Sequence, residues 1–226
     1  MQFNKALLPY YGFLFINLSD PTQACNPKNA PSDMLTIGDD GPADPETLGY
    51  TLNHFGLIAN NITAMMDFYG DVLGMRHIFT FHCSKDYDVV YMGYSHGGKN
   101  GTGFQTGDEL FAEKTNIEGL VEFVVLKDSP TKNPASTSKT NTFSHIGLVV
   151  PDIKKTQARL QQYEVKIIKA VGQDAETPGP VANAYGLGGD IAKARAALAG
   201  IDIIGFKNFI LAEDPDGNLV EIQQQV

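Results

Sequence analysis

Two stretches of this 226-residue chain are so alike that they constrain its fold more than any other feature. Residues 54–62 read HFGLIANNI and residues 145–153 read HIGLVVPDI, so the His, Gly, Leu and final Ile coincide without a gap. Each copy later ends in Leu-Val-Glu, with carboxylates at Glu122 and Glu221. An internal duplication of this kind predicts two structural units of one type rather than one irregular domain.

The hydrophobic pattern within each copy predicts the element order β-α-β-β-β, and therefore an α+β fold of two tandem βαβββ modules. In the first copy we expect a helix that has Asn61 or Thr63 as its N-cap and ends at Gly74. In the second copy we expect a helix at 152–163 and a tight turn at 215–218. The expected strands are 51–59, 76–81, 88–94 and 119–126 in the first copy, and 145–150, 165–169, 206–213 and 219–223 in the second.

The N-terminal residues differ in composition from the rest of the chain. A short positive start, a thirteen-residue apolar stretch at 6–18 and the small residue Ala24 are typical of a secretory signal peptide spanning residues 1–24. The alternative is a buried N-terminal strand or helix. The signal peptide predicts a secreted protein, and a retained segment would predict a cytoplasmic one. No other stretch approaches the roughly 20 apolar residues that a transmembrane helix needs.

The remaining boundaries follow from composition. Residues 25–49, rich in Pro, Asp, Gly and Asn, are predicted to form an extension that wraps the core. The first module is then 50–128, the linker 129–142 and the second module 143–226. An insertion at 170–205, with a short helix expected at 191–198, interrupts the second module. It could be a lid over a binding site or a surface elaboration without a role in binding.

Charge and cysteine content limit the partners and the compartment. A net charge of −9 argues against nucleic acid and anionic membranes, because phosphate neutralisation needs clustered Lys and Arg. Cys25 and Cys83 could pair in an oxidising compartment or remain two free thiols. Triplets for N-glycosylation begin at Asn61 and Asn100 and agree with export.

Four residues at equivalent points of the two copies form a candidate metal site: His54, Glu122, His145 and Glu221. Both His open a first strand, and both Glu lie in a last strand between apolar residues. Burying those carboxylates would cost several kcal/mol unless a cation or hydrogen bonds compensate. Two imidazoles and two carboxylates suit a divalent ion, namely Zn²⁺, Ni²⁺, Co²⁺, Mn²⁺ or Fe²⁺.

The motifs around these residues resemble the vicinal oxygen chelate superfamily, and most closely glyoxalase I. The resemblance rests on DFYGDVLGM at 67–75, HIGLVVPD at 145–152 and EDPDGNLVE at 213–221, and it covers residues 51–226 apart from the insertion. It implies paired modules that enclose one metal held by His54, Glu122, His145 and Glu221. It also implies an enediolate mechanism in which Glu221 or Glu122 moves a proton, and the flanking sequence favours Glu221.

Two positions depart from the glyoxalase I pattern. Ile58 stands where the family typically has an Arg, and Leu126 where it typically has an Asn, and both family residues help to hold glutathione. A buried glutathione carboxylate without those partners would lose on the order of 2–5 kcal/mol. We therefore expect a metal-dependent isomerase or lyase that acts on a small, more apolar carbonyl or hydroxycarbonyl substrate.

Two other functions fit the same resemblance. A ring-cleaving dioxygenase would use Fe²⁺ held by His54, His145 and Glu221, and Glu122 as a fourth ligand argues against it. A non-catalytic protein that binds a small molecule would need a pocket but no turnover. Two complete modules in one chain favour a self-sufficient monomer.

Overall fold

The computed structural model describes residues 30–97 and 102–225. The proposed signal peptide 1–24, Cys25 and Asn100 lie outside the described residues, so the predictions that involve them stay predictions. Cys83 is exposed. Asn61 is exposed and caps the first helix through its side-chain oxygen.

The first module is a four-stranded sheet with the order β1-β4-β3-β2. Strand β1 pairs with β4 in parallel, and the other neighbours are antiparallel. A helix, α1 (Ile62–Asp67), continues into a π-helical turn at Phe68–Val72 and ends at Gly74, whose φ of 85° is left-handed. The strands are β1 (His54–Ile58), β2 (Arg76–His82), β3 (Tyr87–Gly93) and β4 (Leu120–Leu126).

The second module repeats this topology with the order β5-β8-β7-β6, and again the outer pair, β5 with β8, is parallel. Its crossover helix is α3 (Ile153–Gln162), which begins at the N-cap Asp152. The strands are β5 (His145–Val150), β6 (Ile167–Lys169), β7 (Ile210–Glu213) and β8 (Leu219–Gln224). The α+β fold with two tandem βαβββ modules is therefore confirmed.

Some element boundaries differ from the sequence prediction. Strand β1 begins at His54 instead of residue 51, and β6 begins at Ile167 instead of residue 165. The predicted strand 206–213 is wrong in its first half, because Phe206–Asn208 is a 3-10 turn that follows Gly205 in the left-handed conformation (φ 96°). The expected turn at 215–218 does connect β7 to β8, with Gly217 at φ 90°.

Two short helices were not expected from the sequence. Helix α2 (Gly107–Glu113) begins at Thr106, whose side chain forms a capping box with Glu109. Helix α4 (Pro180–Ala184) lies inside the insertion and has Pro at its first position. The helix expected at 191–198 is α5 (Ile191–Asp202) and extends one turn further. Both unexpected helices were hidden in segments rich in Gly, Pro and polar residues.

One hydrophobic core joins the two modules. It contains Phe123 of β4 and Tyr69 after α1, together with Ile153 and Leu160 of α3 and Ile222 of β8, all of them buried. Because side chains alternate along a strand, the residues between these core positions point to the opposite face of each sheet. His54, Glu122, His145 and Glu221 therefore lie on faces turned away from the shared core.

Hydrogen bonds also fasten the modules to each other. The guanidinium of Arg159 in α3 donates from Nε to the carbonyl of Val72 at 2.7 Å and from a terminal nitrogen to the carbonyl of Asp71. These carbonyls end the π-helical turn, where intrahelical partners are missing. The side chain of Asp216 accepts from the backbone N–H of Asn60 at 2.6 Å. Side chains of the second module thus form hydrogen bonds with backbone groups of the first module.

We expect Arg159→Ala to lower the free energy of unfolding by about 1–2 kcal/mol, because charge-assisted hydrogen bonds to two carbonyls are lost at a solvent-accessible site. Urea denaturation followed by circular dichroism measures this change. Lys154→Ala is the matched control on the same helix, and it should change the value by less than about 0.5 kcal/mol. Equal stabilities for the two variants would show that the hydrogen bonds of Arg159 to the carbonyls of Asp71 and Val72 contribute nothing.

The insertion covers the outward face of the second sheet. A second core forms there from Val181 and Ala184 of the insertion, Phe206 after it, and Leu211 and Leu219 of the sheet. The insertion is therefore packed on the sheet along its length and contributes side chains to the face that carries Glu221. Within the described ranges no helix has the length and apolar character needed to cross a bilayer.

Candidate functional site

The strand register brings each predicted histidine next to its own carboxylate. Gly56 pairs with Glu122 across β1 and β4, and Gly147 pairs with Glu221 across β5 and β8. His54 and His145 stand two residues earlier on the same face, so each imidazole reaches over a glycine toward the neighbouring strand. A Cβ at either glycine would meet no atom within 4 Å, so this face stays open at both positions.

In the first module the His54–Glu122 pair is close and its orientation is fixed. His54 Nε2 lies 2.9 Å from Glu122 Oε2. The other ring nitrogen, Nδ1, lies 2.8 Å from the side-chain oxygen of Asn53. Asn53 presents that oxygen because its amide nitrogen donates to the carbonyls of Lys114 and Ile117, at 2.7 and 2.5 Å. The ring nitrogen that faces Asn53 is therefore a donor, and Nε2 is the ring nitrogen that faces Glu122.

This arrangement places two electron-pair donors side by side. A neutral imidazole Nε2 and a carboxylate oxygen 2.9 Å apart repel unless a proton or a metal ion lies between them. Two ligands that each bind a divalent ion at about 2.1 Å at a right angle are about 3 Å apart. The His54–Glu122 pair therefore has the donor atoms to share a divalent ion, and its 2.9 Å spacing is equally that of a hydrogen bond between the imidazole and the carboxylate.

The His145–Glu221 pair in the second module is wider. His145 Nε2 lies 3.8 Å from Glu221 Oε2, and the Ser144 hydroxyl lies 2.7 Å from His145 Nδ1. The Tyr185 ring stacks on the His145 ring with centroids 5.2 Å apart, and its hydroxyl donates to Glu221 Oε2. The pair would need to close by several tenths of an ångström to share one ion.

A tyrosine hydroxyl serves each carboxylate. Tyr91 of β3 donates to Glu122 Oε2 at 2.6 Å and lies 3.2 Å from His54 Nε2. Burial raises the pKa of Tyr91, and the hydrogen bond to Glu122 and its charge act in the same direction. Burial and the charge of Glu221 likewise raise the pKa of Tyr185. Both phenols therefore stay protonated and act as donors at neutral pH.

Tyr91 and Tyr185 show how the burial of Glu122 and Glu221 is compensated. The two carboxylates were expected to need a cation or hydrogen bonds, and hydrogen bonds are present at both. Strand alternation could have found Tyr91, because it stands directly opposite Glu122 across β3 and β4. No sequence signal pointed to Tyr185, which comes from the insertion, whereas Leu211 faces Glu221 at the position equivalent to Tyr91.

The four predicted ligands form two pairs and not one cluster. Among residues 30–97 and 102–225, no group of three or more His, Cys, Asp or Glu side chains is placed to hold one metal ion. The donors of each pair fit a metal, but within this chain they do not converge on a single ion. The set of three ligands that a ring-cleaving dioxygenase would use, His54, His145 and Glu221, is likewise divided between the pairs.

Apolar side chains continue from the first pair along the same face of the sheet. Ile58, Val124, Val89 and Phe81 form the next row across the four strands, and Leu126 and Tyr87 follow. Ile58, Phe81 and Leu126 are 56%, 61% and 53% exposed. We call these six residues the apolar platform: Ile58, Phe81, Tyr87, Val89, Val124 and Leu126. Large apolar side chains that stay exposed together are typical of a binding surface.

Comparisons with known proteins agree with this topology. Residues 51–222 match the family model described as the Glyoxalase/Bleomycin resistance protein/Dioxygenase superfamily. No curated protein sequence matches the chain.

Solved structures resemble the chain at low identity. The trypanothione-dependent glyoxalase I of Leishmania major is 16% identical, covering 78% of this chain and 87% of its own with a TM-score of 0.45. A glyoxalase I mutant from Zea mays is 14% identical, and the match covers 77% of this chain and 44% of that protein with a TM-score of 0.44. An antibiotic-binding protein from a Streptomyces species is 14% identical, and the match covers 79% of this chain and 98% of that protein with a TM-score of 0.40.

Proposed function

Because the chain belongs to the Glyoxalase/Bleomycin resistance protein/Dioxygenase superfamily, we propose that it is a metal-dependent isomerase or lyase. It moves a proton at the carbon next to a carbonyl group of a small apolar substrate. The observation that carries this proposal is the fixed geometry of His54, Glu122 and Tyr91 at the edge of the apolar platform. A base, a protonated phenol and an apolar surface lie together there.

Glu122 is the proposed base. Tyr91 holds its Oε2, and its Oε1 has no hydrogen-bond partner in the described part of the chain. A carboxylate oxygen free to accept a proton meets the first requirement of general base catalysis. The sequence favoured Glu221 for this role. The two carboxylate side chains are similarly accessible, 20% and 15%. What favours Glu122 is its position beside the exposed apolar platform, whereas Glu221 lies beside residues of the insertion.

A divalent ion held by His54 and Glu122 would polarise the substrate carbonyl and so acidify the neighbouring C–H bond. The residues of the chain supply the remaining requirements. Asn53 fixes the orientation of His54, and Tyr91 keeps Glu122 in place by donating its one hydroxyl proton to Oε2. The platform excludes water from the apolar part of the substrate, which strengthens each of these polar contacts.

The platform also supports an apolar substrate class. Ile58 and Leu126, the two departures from the glutathione-binding pattern, both belong to it and lie one and two rows beyond Glu122. A charged glutathione arm laid over this surface would lose solvation without gaining a partner. An aromatic hydroxyketone with its carbonyl at Glu122 would instead bury apolar area on it, worth about 25 cal/mol per Å².

The proposed function predicts a bound metal and catalysed proton exchange. Elemental analysis of the purified protein should find a stoichiometric divalent metal. Incubation with 2-hydroxyacetophenone in D₂O should exchange the proton next to the carbonyl, as followed by NMR. Chelation should remove the metal and the exchange together. The hemithioacetal of glutathione and methylglyoxal is the comparison substrate, and it should react more slowly.

A second function has its own support in the tyrosines. Because Tyr91 and Tyr185 each donate a hydrogen bond to one of the two carboxylates, neither carboxylate depends on a cation alone, and the site could hold a small apolar ligand without turnover. In that case 2-hydroxyacetophenone would bind, as seen in saturation-transfer NMR, while metal and exchange were both absent. That combination of results would reject the enzyme and leave the binding protein.

A further inference from the structure

A lysine is buried at the end of β6, on the face of the second sheet that the insertion covers. Lys169 is only 1% exposed, although lysine is among the residues least often buried. It pairs with Leu211, which in turn pairs with Glu221, so it lies on the same face as that carboxylate, two strands away. In the sequence Lys169 is only the last residue of a predicted strand.

The hydrogen bonds of Lys169 suit a neutral amine. Its Nζ donates to the carbonyl of Phe209 at 2.8 Å and to that of Lys207 at 3.2 Å. A neutral amine has two N–H donors, and these two carbonyls satisfy both and leave the lone pair free. An ammonium group has a third donor, for which the described residues offer no further oxygen or nitrogen acceptor and only the face of the Phe206 ring, 5.2 Å from Nζ.

Burial outweighs the charges around the lysine. Burial lowers the pKa of Lys169 to about 8, with a smaller contribution from Lys207 in the same direction, while Asp202, Asp174 and Glu221 oppose it. The two aspartates are themselves engaged by Lys207, whose Nζ lies 2.7 Å from Asp174 and 3.9 Å from Asp202. A substantial fraction of Lys169 is therefore a free amine near neutral pH.

A cavity of about 290 Å³ is lined by this lysine. It lies between the end of β6 and helix α5, which contributes Arg195, Leu198 and Asp202 to its wall. Phe206 closes another side, with its ring centre 5.2 Å from Lys169 Nζ. A space of this size is at the lower limit of ligand pockets and admits only a small molecule.

We propose that Lys169 is a nucleophilic amine that forms a reversible imine with a small aldehyde in this cavity. A buried, desolvated lysine beside an enclosed space is the arrangement by which proteins bind carbonyl compounds covalently. The inference is independent of the proposed function, because it concerns the opposite module and a group that takes no part in the chemistry at Glu122.

The reaction balances without any further reagent. The lone pair of the neutral amine attacks the aldehyde carbon, and the carbonyl electron pair moves to oxygen, which gains a proton. The nitrogen loses a proton, and the resulting carbinolamine expels water to give the C=N bond. Hydrolysis returns the aldehyde and the amine, so the adduct is reversible until it is reduced.

Reductive trapping of the wild-type protein tests the proposal directly. The protein is incubated with propionaldehyde and cyanoborohydride at about pH 7.5, digested, and mapped by mass spectrometry for propylated lysines. We expect Lys169 to react on the order of a hundredfold faster than Lys166, an exposed lysine on the same edge of the module, since far less of an ordinary lysine is neutral at that pH. The Lys169 rate should level off above about pH 9, while the Lys166 rate continues to rise.

The controls separate nucleophilicity from simple access. Arg195→Gln alters the wall of the same cavity but keeps the amine, so it should leave Lys169 trapping within a few-fold of wild type. Lys169→Met should lose the fast-reacting site while the other lysines react as before. If Lys169 stays unmodified in the wild-type protein while Lys166 is propylated, the lysine is a structural partner of two carbonyls and the proposal is overturned.

Discussion

Glu122→Gln is expected to slow substrate proton exchange by roughly a hundred- to ten-thousand-fold, the range that a positioned general base contributes. The amide keeps the size of the side chain but cannot accept a proton from carbon. It also gives His54 Nε2 a neutral neighbour where the wild type has a carboxylate at 2.9 Å. The measurement is the initial rate of deuterium incorporation into 2-hydroxyacetophenone, with metal content determined on the same samples.

Two further variants make the result specific. Glu118→Gln, two residues before β4 and exposed, should keep the wild-type rate. Glu221→Gln should lower the rate far less than Glu122→Gln if the first module carries the chemistry. If Glu221→Gln lowers the exchange rate more than Glu122→Gln does, the base is Glu221, as the flanking sequence favours. If neither variant changes the rate, neither carboxylate is the base.

Asp214→Ala is expected to lower the free energy of unfolding by about 3–5 kcal/mol, because it removes the shared acceptor of several buried donors. The Asp214 carboxylate accepts from the backbone N–H groups of Asp216 and Asn218, at 3.0 and 2.8 Å, and from the Asn218 amide at 3.1 Å. Without it these donors lose their acceptor inside the turn between β7 and β8. Guanidinium denaturation of both proteins measures the loss.

The matched control is Tyr69→Phe, since Tyr69 contacts the Asp214 carboxylate from the first module. Tyr69 donates its hydroxyl to Asp214 at 3.4 Å, a long contact, and it is otherwise packed in the shared core. Tyr69→Phe removes that contact alone and should cost no more than about 1 kcal/mol. If Asp214→Ala were no more damaging than Tyr69→Phe, the turn would be held by its backbone and the carboxylate would be dispensable.

The repeat made most of the fold predictable. The alternation of apolar residues located every strand, Asn61 was one of two expected N-caps, and Gly74 was expected to end the first helix. The errors concern segments whose structure depends on distant contacts. Phe206 was assigned to a strand because it is apolar, but its ring packs against Tyr185 of the insertion with centroids 5.8 Å apart. Such a contact leaves no trace in local sequence.

The candidate site was predictable as two halves only. Equivalent positions in the two copies identified His54 with Glu122 and His145 with Glu221, and the parallel strand pairs bring each His to its own Glu. How the halves lie relative to each other depends on which faces of the sheets form the shared core. Both faces of a strand such as β4 carry apolar residues, so the pattern did not decide which face would be covered.

Because of the insertion, the outward faces of the two sheets differ in how well they tolerate substitutions. On the second sheet Leu219 and Leu211 of the outward face are buried beneath the insertion, so a new side chain at either position must fit a packed interior. On the first sheet Ile58 and Leu126 remain mostly exposed beside the same kind of His–Glu pair. Ligand preference can therefore drift through the first module at little cost in stability, while the second is constrained to preserve the fold.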